Sequence, residues 1–122
     1  MIGTKTTMAT EPIYHICRRG DWDGTRGLDP LPPEDFIHFS TATQVAESAA
    51  RHWACQPGLV LLTVDPLALG DGLRWEPSRG DKLFPHLYAS LPVAAVIRVD
   101  DLPLGADGRH VFPVGVVPGG AD

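Results

Sequence analysis

Histidines are the residues of this chain whose surroundings most require a chemical explanation. The segment FIHFSTATQVAESAARHW, residues 36–53, sets His38 between Ile37 and Phe39 and follows it at once with the hydroxyls of Ser40 and Thr41. His15 lies in a second apolar run, PIYHIC, and His86 in a third, FPHLY. A buried imidazole must find a partner, because an unpaired polar group in a protein interior costs about 1–3 kcal/mol. Glu76, between Trp75 and Pro77, is an acid in aromatic and otherwise apolar company. Aimed into a pocket, it would hydrogen-bond a sugar hydroxyl or support an oxocarbenium-like centre. At a strand edge it would only pair with Arg74 or Arg79. Each histidine likewise has an ordinary role as a satisfied core or edge residue, so the chemical reading rests on convergence of His15, His38 and Glu76 on one cleft.

Other chemistries find less support. A metal site needs three or four ligands in fixed geometry. His15, Cys17, His38 and His86 are the candidates, but neither a Cys-x-x-Cys nor a His-Glu-x-x-His spacing occurs, and no metal is expected. Cys17 beside His15 would make a nucleophile, although a cysteine in a strand is more often an inert small hydrophobe. The chain has no G-x-S-x-G elbow, no phosphate-binding loop and no dinucleotide fingerprint.

The elements that must position these residues follow from apolar periodicity. Residues 12–17 read as a strand with Tyr14 and Ile16 on one face and His15 and Cys17 on the other. RRGDWDGTRG allows only a turn or two of helix, and LDPLPPED is a loop stiffened by prolines. Residues 36–39 form a second strand, which places Phe36, His38 and Ser40 on the face opposite Ile37 and Phe39. Thr41 and Gln44 have capping-box spacing, so a helix should start near Ala42, with Val45, Ala49 and Trp53 as its apolar stripe. GLVLLTVD is a strand buried on both faces. LRWEP is a short strand, SRGDKLF a polar loop, and PHLYASLP leads to a strand in VAAVIRVDDLPL. A hairpin turn at Asp107-Gly108 returns to a last short strand. About six short strands and one main helix, without regular alternation, indicate an α+β domain with a split or bent sheet.

At 122 residues the chain accommodates one domain, expected over residues 11–113, between flexible extensions at 1–10 and 114–122. The opening MIGTKTTMATEP carries one lysine and no apolar block, unlike a secretory signal or a transit peptide. Two cysteines are too few for a disulfide framework and fit a reducing cytoplasm. A net charge of −5 disfavours nucleic acid and anionic membrane as partners. The expectation is a cytoplasmic monomer or weak dimer.

The ordered strings IYHI, IHFST, RWEPSRG and FPHLY resemble a family of small bacterial proteins catalogued as domain of unknown function 952, over Ile13 to Phe112. More distantly, the layout is similar to the His-Tyr-Glu arrangement of ADP-ribosyltransferases and to the histidine strand of RNA 2'-phosphotransferases. That resemblance implies an ADP-ribosyltransferase-like fold and NAD or an ADP-ribose-like nucleotide as ligand. It implies that His15 holds the adenosine-side ribose, that His38 takes the second-motif position, and that Glu76 supports charge at the nicotinamide ribose. His38 and Glu76 would then be the catalytic pair, with His15, Ser40, His86 and Tyr88 binding the cofactor. Ile16 stands where the first motif carries glycine, and Glu34, Asp35 and Phe36 where the phosphotransferases carry an arginine. A nucleotide-binding enzyme, a non-catalytic module that keeps the cleft for a small molecule or protein, and a metal-dependent activity on His15, Cys17 and His38 are the three readings.

Overall fold

The computed structural model of the protein describes residues 11–78 and 80–116. Arg79, the whole expected extension at 1–10 and residues 117–122 of the other lie outside the described residues. The described residues form six strands and one α-helix: β1 (Ile13–Arg18), β2 (Ile37–His38), α1 (Val45–His52), β3 (Leu59–Val64), β4 (Leu73–Pro77), β5 (Leu83–Leu87) and β6 (Val96–Asp101). They make an α+β fold of two antiparallel three-stranded sheets, ordered β1-β3-β6 and β2-β5-β4. No described helix is long and apolar enough to cross a membrane.

All six residues of β3 are buried, as its unbroken apolar run requires. Its period of two serves two cores. Val60, Leu62 and Val64 join Ile13, Cys17, Ile37, Phe39 and Leu87 on one side. Leu59 and Leu61 join Tyr14, Ile16, Val45, Ala49 and Leu102 under α1 on the other. The first sheet therefore lies between the helix and the inner face of the second sheet.

The two sheets meet at Tyr14 and Ser40, which exchange backbone hydrogen bonds of 2.8 Å in both directions. This junction places Ser40 and His38 on the side of the sheet that carries α1. Gln44 reaches back to accept from the Thr41 N–H at 3.0 Å, the reciprocal half of a capping box. Thr41 Oγ1 pairs with Thr43 Oγ1 instead of capping, and the regular helix begins at Val45, three residues later than expected.

Two sequence expectations need correction. Residues 83–87, read as the end of a loop and a lead-in, form the central strand β5. Pro85 argues against a central strand because it cannot donate to a ladder. Here Phe39 donates to the Pro85 carbonyl at 2.9 Å, so the missing N–H faces only the end of two-residue β2, and the β4 ladder is untouched. The turn at Asp107-Gly108 forms, but its return makes a single bridge, Leu104 to His110, in place of a strand. Val116, within the expected tail, is buried against the helix-side core.

Candidate functional site

Register builds the site. His38 on β2 lies directly opposite His86 on β5, and His86 lies opposite Arg74 on β4. Opposed residues share a face, and so do residues two apart along a strand. One face of the second sheet therefore carries Phe36, His38, Phe84, His86, Tyr88, Arg74 and Glu76, while Ile37, Phe39 and Leu87 on the other face enter the core.

Above this face stands α1. Ser48 and His52, four residues apart on one side of the helix, face the sheet. A cleft of about 340 Å³ runs between them and the second sheet, bordered by His15, Phe36, His38, Ser40, Ser48, His52, Trp53, Ser78 and His86. The ring of His38 sits 5.3 Å from His86 and 6.3 Å from His52, between centroids. Buried Ser40 and Ser48 join their hydroxyls at 2.8 Å across the floor.

Glu76 stands behind the cleft wall, where the sequence had placed it on the wall itself. Its Oε1 accepts from Tyr88 Oη at 2.7 Å and lies 2.8 Å from His86 Nδ1. The bond from Tyr88, and after it the bond from His86, holds the Glu76 carboxyl below the usual carboxylate range. An ionised carboxylate only accepts, so His86 Nδ1 carries the hydrogen. In the neutral ring the lone pair then belongs to Nε2. That nitrogen is buried and has no hydrogen-bond partner among the described residues. Phe36 stacks on the same ring at 4.0 Å and 17°, fixing its plane. The result is a tyrosine-carboxylate-imidazole chain that ends in a buried nitrogen of a residue bordering the cleft.

His15 borders the cleft, but its ring turns toward the core and packs on Phe39 at 5.5 Å. Its Nδ1 donates to the His38 carbonyl at 2.7 Å, since a carbonyl only accepts. Burial pushes the ring below the usual imidazole range, outweighing that hydrogen bond, so His15 is neutral near pH 7. It thereby ties β1 to the strand end that presents His38.

The structure thus brings His15, His38, Ser40 and His86 to one cleft and sets Glu76 and Tyr88 one residue behind. Phe36, Ser48, His52 and Trp53 were not anticipated. Their signal was the four-residue spacing of Ser48 and His52 on a helix that starts beside His38. Cys17 does not take part: it lies in the core, and burial pushes its thiol up to about 11, which leaves it protonated and unreactive. Among the described residues, no three His, Cys, Asp or Glu side chains come together as the ligands of a metal ion would. A larger groove of about 840 Å³ lies on the far side of α1, lined by alanines, Cys55, Phe112 and Val114, and holds none of these site residues.

Known proteins share this fold. Protein CC0527 from Caulobacter crescentus, in its crystal structure, is similar with a TM-score of 0.74 and 42% identity, covering 82% of this chain and 93% of that one. Its solution structure matches with a TM-score of 0.68 and 43% identity, over 81% and 90% of the two chains. None of the curated proteins matches significantly. The family described as protein of unknown function (DUF952) matches residues 16–99, which include His38, Glu76, His86 and Tyr88. With more than half of its length matched and its strands and helix laid out as in the Caulobacter protein, the chain belongs to the DUF952 family.

Proposed function

We propose that the cleft binds a ribosylated small molecule of the NAD or ADP-ribose class, on a fold of the ADP-ribosyltransferase type. The observation that carries this reading is the meeting of His38, Ser40 and His86 in one cleft of about 340 Å³, with His15 at its edge. That volume lies at the small end of ligand sites, about 300–1,000 Å³. It suits one nucleoside half of a dinucleotide, with the other half running along the open side. Imidazole nitrogens and serine hydroxyls both donate and accept, as ribose hydroxyls require, and Phe36 and Trp53 offer ring faces to a base. Division of the strands into two sheets that meet at Tyr14 and Ser40, with one helix beside the junction, supports the fold.

ADP-ribosyl transfer is the enzymatic form of this reading, with the charge of Glu76 favouring a positive ribose carbon. One observation favours a non-catalytic binding module instead: Glu76 spends its Oε1 on His86 and Tyr88. Calorimetric titration with NAD, paired with an assay for released nicotinamide, separates the two. An enzyme loses turnover in Glu76→Gln by 100-fold or more, on the order of a removed electrostatic stabiliser, with affinity retained. A module shows no turnover in either protein and similar affinity in both. Absence of binding by the native protein at millimolar NAD would refute the nucleotide reading.

A further inference from the structure

A buried ring nitrogen with no partner among the described residues, on a ring whose other nitrogen is tightly held, is the feature of this molecule that the binding reading leaves unexplained. We infer that His86 Nε2 is the acceptor in the cleft for a hydroxyl of the ligand, and that Glu76 and Tyr88 are positioning residues that set its tautomer. This inference rests on the reading of the cleft as a site for a ribose-bearing ligand, and it assigns the group that selects the hydroxyl.

Tyr88 Oη gives its hydrogen to Glu76 Oε1 at 2.7 Å, and the same oxygen takes the hydrogen of His86 Nδ1 at 2.8 Å. A neutral imidazole has one hydrogen, so fixing it on Nδ1 makes Nε2 an acceptor only. Phe36 stacked at 4.0 Å prevents the ring from turning out of plane, and His38 confines it from the neighbouring strand at 5.3 Å. The His86 side chain is only 6% exposed, and its ring borders the cleft. Such a nitrogen rejects a ligand acceptor and pairs with an O–H or N–H donor, and discrimination of that kind is large in a desolvated site. Since Nε2 is covered in the free protein, a hydroxyl reaches it only if the surrounding side chains shift.

Nitrogen NMR of the histidine rings tests this directly, in the native protein, in Glu76→Ala and in Glu76→Gln. At a pH high enough to keep the ring neutral, the free native protein should show His86 as the Nδ1–H tautomer. Glu76→Ala removes the acceptor, and the ring should move toward the Nε2–H tautomer, whereas Glu76→Gln keeps an acceptor oxygen and should preserve Nδ1–H. A merely structural carboxylate would leave the tautomer unchanged in all three. Titration with NAD should then shift the His86 Nε2 resonance along the same saturation curve as the cleft amides. If the amides saturate while Nε2 stays still, this inference fails and the nucleotide reading stands. If NAD moves nothing but ribose 5-phosphate moves His86 Nε2, the nucleotide reading fails and this inference stands. An Nε2–H tautomer in the free protein, or a still Nε2 with both probes, overturns it.

Discussion

Glu76 shows how little a residue type says until its neighbours are known. Quoted in sequence, it is an acid between Trp75 and Pro77; in the fold it accepts from Tyr88 and His86 and governs the tautomer of a ring in the cleft. Tyr88 is the first cause of its lowered pKa. Tyr88→Phe should therefore raise the Glu76 titration midpoint toward the ordinary value near 4.3, followed by side-chain carbon NMR; an unchanged midpoint would show that the hydroxyl does not matter. The sign for stability follows from linkage. Since the folded-state pKa lies below the unfolded one, Glu76 stabilises the protein above about pH 4.3, and that contribution disappears as pH falls through the folded value. Glu76→Gln should accordingly flatten the acid side of the stability curve, measured by denaturant unfolding between pH 6 and 3, and an identical acid slope would contradict the pairing. The alternation of Phe36, His38 and Ser40 was legible in sequence because a period of two fixes which side chains share a face. The bond between Glu76 and His86 was not, because it depends on the register of two strands.

At the level of elements, the hidden piece was β5. Residues 83–87 contain a proline in mid-strand, which reads as a breaker, and only the short span of β2 makes the loss of one N–H harmless. The buried strand β3 and the narrow stripe of α1 were legible because each is set by local periodicity, and the capping box failed only in its Thr41 half. Gly27 marks a further contact that sequence does not reveal. It has φ +73°, and an added Cβ would stand 2.2 Å from the Leu91 carbonyl oxygen. That carbonyl receives the Leu28 N–H in the pair of bonds that anchors the 19–35 connection. Gly27→Ala should cost about 1–3 kcal/mol through strain and loss of this bridge, read from the urea midpoint. A loss below about 0.5 kcal/mol would mean the connection is not anchored there.

For the molecule as a whole, the α+β class was readable from the count of strands and helices, whereas the order β1-β3-β6 and β2-β5-β4 was not, since non-local pairing leaves no trace in local pattern. β3 ties the two cores together: Leu62 serves one and Leu61 the other. Leu61→Ala and Leu62→Ala should each cost about 2–5 kcal/mol, and each should unfold in one transition in which ellipticity and tryptophan fluorescence coincide. Separate transitions would show that the sheets are independent units. The same architecture leaves a cleft between α1 and the second sheet, the proposed nucleotide site. At 13.1 kDa the protein suits amide chemical-shift mapping with NAD. Saturable shifts confined to the segments around His15, His38, His52 and His86 are expected; shifts absent at millimolar NAD, or scattered over the far groove beside Cys55 and Phe112, would overturn the nucleotide reading.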